Sequence, residues 1–294
     1  MSQPTLFACG QVRHIIRCAL LCGACAVAAA VFAHPGQHDQ LEQINRHIEE
    51  APAEQALYIQ RGVVYSESGE YDRALADYHR AQALGPPVLV SFELGVLYYR
   101  RGEYQRASDH LQRYLQRFPD YAPAYEYLAR IARDAGDPDT AIAHFQTYFR
   151  LQQRPNPGLY LSAAKIMEET GRPEQALTLL DQGLAKLGVI PQLQRHAIRL
   201  ELFRQRPDLA IARLETLRDM LRDNPQWKID MAELLWIAGR REDATELLGA
   251  ARSELVVLRP TPARTAAQQR ATEMMARFQA GQDVPITSVT VAAE

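Results

Sequence analysis

The stretch QALYIQRGVVYSESGEYDRALADYHRAQALGPP at residues 55–87, followed directly by VLVSFELGVLYYRRGEYQRASDHLQRYLQRFPDY at 88–121, decides the fold. The two align without a gap at their small and aromatic positions: Gly62 with Gly95, Tyr65 with Tyr98, Gly69 with Gly102, Tyr71 with Tyr104 and Ala74 with Ala107. The alanine recurs at Ala141, Ala176, Ala210 and Ala244, so the six are spaced by 33, 34, 35, 34 and 34 residues. Four residues after each stands a large apolar side chain: Tyr78, Leu111, Phe145, Leu180, Leu214 and Leu248. A fixed period of this length marks an array of one supersecondary unit, each copy covering the apolar face of its neighbour.

The punctuation identifies the unit as a helical hairpin. Five residues before each alanine stands Gly69, Gly102, Gly136, Gly171 or Gly239, with Gln205 as the exception. Glycine there ends a helix in left-handed geometry. Pro138, Pro173 and Pro207 share the position three before the alanine, where a first-turn proline starts the next helix. Twelve residues before the alanine come Gly62, Gly95, Ala129, Ala164, Ile198 and Ala232, mostly small, which lets paired helices approach closely.

This pattern resembles the tetratricopeptide repeat, a helix-turn-helix unit of about 34 residues. Repeat one, residues 55–87, carries Tyr58, Gly62, Tyr65, Gly69, Tyr71, Ala74, Tyr78, Ala81 and Pro86 in register; repeat two carries Gly95, Tyr98, Gly102, Tyr104, Ala107 and Pro119. The expected fold is all-α, a right-handed superhelical solenoid of about six antiparallel helix pairs over residues 55–258. Repeat five, at about 191–224, departs most: Ile198 replaces a small residue, Glu201 an apolar one and Gln205 the glycine. Three broken packing rules in one repeat predict a hinge or kink near residues 198–205. Residues 34–54 read as a linker and capping helix with Leu41, Ile44 and Ile48 on one stripe behind Asp39. Residues 259–294 read as a second capping helix, from about Pro262 to Ala280, and a disordered tail from Asp283; Ala267, Ala271, Met274, Met275 and Phe278 form the stripe.

Hydrophobic residues make up 47% of the 294, charged residues 23%, and the net charge is −2, which argues against disorder and against a nucleic-acid partner. All four cysteines, Cys9, Cys18, Cys22 and Cys25, precede residue 26. Residues 1–33 read as a signal peptide: Arg13, His14 and Arg17 flank the apolar run from Cys18 to Phe32, and Val31-Phe32-Ala33 supplies a cleavage site. The expected location is periplasmic or secreted, and a cysteine-free mature chain fits an oxidising compartment. The alternative is an uncleaved anchor from Ile15 to Ala33, the one route to a membrane.

No phosphate-binding loop, zinc box, nucleophile elbow or kinase signature occurs, so a non-catalytic chain without a cofactor is expected. His110 and His144 share one position on the second helices of repeats two and three and are expected to be solvated on the outer face. Cleavage after Ala33 would leave His34 with a free α-amine, which together with His38 forms a chelate suited to copper. His47, nine residues on, falls on another helix face.

The resemblance implies that the first helix of each pair lines a concave groove that holds a protein or peptide. By register, Phe92, Tyr99 and Tyr127 supply apolar anchors there, beside a basic strip of Arg100, Arg130, Arg133, Lys165, Arg195 and Arg199, with Ile229, Glu233 and Trp236 facing inward in repeat six. The strip suits an acidic partner; alternatively its arginines pair with Glu126, Asp134, Glu168 and Glu169 and only solvate the surface. Two other functions fit: a copper-handling factor using His34 and His38, and an assembly or regulatory subunit of an envelope enzyme complex.

Overall fold

The computed structural model describes residues 36–221 and 224–283, which are helical with short connections. After α1 (Gln37–Glu50) come antiparallel pairs: α2 (Gln55–Glu67) with α3 (Tyr71–Leu84), α4 (Val88–Arg100) with α5 (Tyr104–Arg117), α6 (Ala122–Asp134) with α7 (Pro138–Leu151), and α8 (Pro157–Glu169) with α9 (Pro173–Leu187). The fifth pair is α10 (Pro191–Phe203) with α11 (Pro207–Glu215), continued by α12 (Arg218–Leu221); the sixth is α13 (Pro225–Ile237) with α14 (Arg241–Val257), and α15 (Pro262–Gln279) closes the stack. Each second helix also packs on the first helix of the next pair, which makes the array a solenoid. Among the described residues no helix is long and apolar enough to cross a membrane. The signal segment expected at 1–33, and the expected tail beyond Asp283, lie outside the described residues.

The sequence period is the core period. All six alanines and their six large partners are buried, and full burial of each large side chain contributes about 1.5–3 kcal/mol. A Cβ added at Gly62 would lie 2.5 Å from the Tyr78 ring, and one at Gly95 would lie 2.7 Å from Leu111. Side chains at those crossings would therefore force the pairs apart.

Every pair turns through the same cap. Gly69 N–H donates to Ser66 O and Glu70 N–H to Tyr65 O, and the arrangement recurs after α4, α6, α8, α10 and α13. The five glycines hold φ between 73° and 80°, and Gln205 takes the same role at φ 59°. Loss of the glycine therefore did not cost repeat five its turn, and α10 runs unbroken through Ile198 and Glu201. The interruption lies instead in the second helix, at Thr216 and Leu217. There the N–H groups of these two residues donate to carbonyls only three residues back, and Trp227 Nε1 donates to Leu214 O at 3.1 Å. An indole that competes for a ladder carbonyl explains why α11 stops after nine residues. Glu201 is buried and held by Arg213, whose Nε and Nη2 both donate to it at 3.2 Å while Nη1 and Nη2 reach Asp181 at 2.6 and 3.0 Å.

At the ends, α1 starts two residues before Asp39, which lies in its first turn, and Leu41, Ile44 and Ile48 are half-buried. The five stripe residues expected on α15 are all buried.

Candidate ligand-binding face

First helices of neighbouring pairs touch side by side, α2 with α4, α4 with α6 and α8 with α10, and build a common face. Arg100 Nη1 on α4 donates to Ser66 Oγ on α2 at 3.2 Å, Tyr99 Oη on α4 donates to Asp134 Oδ2 on α6 at 3.1 Å, and Arg199 on α10 reaches Glu168 on α8. These residues lie eight to twelve positions after their helix starts, in the second half of each helix, so the common register of the pairs aligns them.

At the amino-terminal end the face is aromatic. Phe92 meets Tyr121 edge-on at 4.9 Å and Tyr127 at 5.9 Å, and Tyr99 meets Tyr127 at 5.5 Å. Beside them, α2, α4 and α6 enclose an open cleft of about 230 Å³ walled by Val63, Phe92, Val96 and Tyr127, with Glu67, Glu93 and Arg100 as its charged groups. Burial, and secondarily the bond to Asp134, push the Tyr99 phenol up; burial does the same at Tyr127. Both remain neutral at physiological pH.

In the middle, most of the expected basic strip is already paired. Arg130 donates to Glu126 at 2.7 and 3.1 Å, Arg133 to Asp134 at 2.8 Å, and Arg199 to Glu168 at 2.7 and 2.8 Å. The Arg199 hydrogen bonds hold the Glu168 carboxyl below its usual range. Such half-exposed pairs contribute at most about 1 kcal/mol each, so they neutralise the surface more than they stabilise it. Lys165 is exposed, and Arg195 is half-buried with an Nε that has no hydrogen-bond partner.

The carboxy-terminal end is covered. Ile229, Glu233 and Trp236, expected to line an open groove, are buried beneath α15. Trp236 stacks on Phe278 at 3.9 Å and 3° and donates to Gln282 O at 3.1 Å, while Arg270 ion-pairs with Asp230 and Glu233. The open face therefore runs from α2 to α10.

Two family profiles described as tetratricopeptide repeat match residues 59–122 and 132–189, spanning most of the first four pairs. The chain is a tetratricopeptide-repeat protein. Its fold is similar to the C-terminal part of a TPR repeat-containing protein from Cytophaga hutchinsonii, with TM-score 0.60, 16% identity, and 79% of this chain and 94% of that one covered. It is also similar to a structure described as a functional characterization of Pseudomonas aeruginosa pilF, with TM-score 0.50, 20% identity, and 63% and 86% covered. At such identities the likeness concerns the fold. No curated protein matches the sequence.

The histidines of this tetratricopeptide-repeat protein differ from expectation in one respect. His110 and His144 are half-buried rather than solvated: His110 stacks on Tyr98 at 5.4 Å, and His144 lies 6.1 Å from Tyr125. Aromatic neighbours on adjoining helices cover what helix periodicity alone leaves outside, and burial pushes both imidazoles below their usual range. His34 lies outside the described residues, and His38 is exposed with Nε2 3.2 Å from Glu42. Among the described residues no three His, Cys, Asp or Glu side chains converge as a metal site. The residue that sequence reading missed is Glu93. It stands at the repeat position of Tyr127, thirty-four residues before it, and that shared register was the available signal.

Proposed function

We propose that this tetratricopeptide-repeat protein is a non-catalytic scaffold that holds a polypeptide segment along the face built by α2, α4, α6, α8 and α10. The reading rests on the aromatic-walled cleft between three successive first helices, which presents apolar surface and charged groups to solvent while the far end of the same face is sealed by α15. A shallow, repeated surface of this kind suits an extended chain that places side chains in sequence along it. The apolar run with its basic flank in residues 1–33 supports export to the periplasm or beyond, which mass spectrometry of the mature amino terminus tests directly.

Val63→Trp fills the cleft, and His79→Trp adds the same bulk at an exposed position on α3. In quantitative affinity capture from native extract, the first variant is expected to retain at most a tenth of the proteins held by the wild type, and the second all of them. Equal retention by both, with thermal melts confirming folding, would place binding elsewhere.

A further inference from the structure

The expected strip of arginines pointed to an acidic partner, yet the cleft itself has the opposite character. Glu93 lines it and makes no hydrogen bond or ion pair among the described residues. The nearby cation does not neutralise it: the Arg100 guanidinium donates to Ser66 Oγ at 3.2 Å and forms no ion pair with either Glu93 or Glu67. With Glu67 also lining the cleft, two carboxylates face one guanidinium and the local charge is negative. An incoming carboxylate would meet both.

The walls select further. Phe92 and Tyr127 present aromatic rings, whose faces attract cations, and Val63 and Val96 offer aliphatic surface to a side-chain stem. A volume of about 230 Å³ falls below the roughly 300–1,000 Å³ of pockets that enclose whole small molecules. It accommodates one long side chain.

We infer that the cleft between α2, α4 and α6 is a seat for a single cationic side chain, lysine or arginine, of the bound polypeptide, with Glu93 as its counter-ion. The inference rests on the scaffold reading above and adds to it the chemistry of one residue of the partner. Burial pushes the Glu93 carboxyl above its usual range, and the charge of Glu67 adds to the shift against the opposing pull of Arg100. A guest cation relieves that cost, as a buried charge gains most from a close partner.

The test uses the chain with four synthetic peptides, acetyl-Gly-Ser-Leu-X-Ala-Ser-Gly-amide, in which X is lysine, arginine, norleucine or glutamate. Binding is read from the aromatic NMR resonances of Phe92 and Tyr127. The lysine and arginine peptides are expected to bind at least tenfold more tightly than the norleucine peptide, and the glutamate peptide most weakly. The isosteric Glu93→Gln is expected to abolish the preference while leaving the thermal melt in place. Norleucine or glutamate binding as well as lysine, or a preference that survives Glu93→Gln, overturns the inference. If all four peptides bind alike, only the counter-ion role falls; if none perturbs the two rings, the cleft is no seat for a side chain and the inference falls, while the capture experiment with Val63→Trp decides the scaffold reading separately.

Discussion

Gln205 is the one non-glycine residue among those described that holds a left-handed backbone, at φ 59°, in a turn that five sister repeats build with glycine. An L-residue in that conformation costs roughly 1–2 kcal/mol through contact of its Cβ with the backbone. The side chain is exposed and forms no hydrogen bond that its removal would forfeit. Gln205→Gly therefore relieves the strain, offset by about 0.4–1 kcal/mol for the greater freedom of glycine in the unfolded chain. The net expectation is a gain of about 0.5–1 kcal/mol, or on the order of 2 °C in Tm for a chain of this size. Because repeats couple mainly to their neighbours, the gain should concentrate in α10 and α11, and hydrogen exchange of those amides should slow about threefold. The reciprocal Gly136→Gln, at φ 76° in repeat three, should lose a similar amount. A Gln205→Gly protein no more stable than wild type in urea melts, or a harmless Gly136→Gln, would refute the claim that backbone strain separates the fifth turn from the others.

Two further outcomes follow from buried charge. Glu233 lies with Asp230 around Arg270, and burial pushes its carboxyl up to about 6 from 4.5. The folded state thus holds a proton that the unfolded state has released, and stability from this group falls as pH rises from about 4.5 through 6. Glu233→Gln removes that loss, so its stability relative to wild type should rise by about 2 kcal/mol between pH 4.5 and 7; a difference independent of pH, measured by urea titration, would exclude the effect. Arg213 is the cation that holds buried Glu201, so Arg213→Met should destabilise by about 3 kcal/mol by stranding that carboxylate. Glu201→Leu combined with Arg213→Met should recover most of it, and a single variant that melts like wild type would show that the pair is not needed.

The solenoid was legible because its determinants are local and repeated. An alanine every 33 to 35 residues, its large partner four residues on and the glycine five before it report helix contact and turn geometry, which depend on spacing along one chain. The candidate face was legible only in part. Register placed Phe92, Tyr99 and Tyr127 together, but it left open whether Arg130, Arg133 and Arg199 face a partner or pair with Glu126, Asp134 and Glu168, as they do, and it passed over Glu93. Repeat five shows the same division: the missing glycine was visible, whereas the helix break at Thr216 depended on an indole arriving from α13.

The sequence by itself determined helix pairing, turn positions and the identity of the buried seam, since each is set by intervals within or between adjacent repeats. Only the tertiary structure decided which cations are neutralised, that α15 seals the face at Trp236, and that Glu93 is left without a counter-ion. Those outcomes depend on distances of a few ångströms between side chains on different helices, and a periodic pattern fixes the helix positions without fixing how long, flexible side chains divide the space between them.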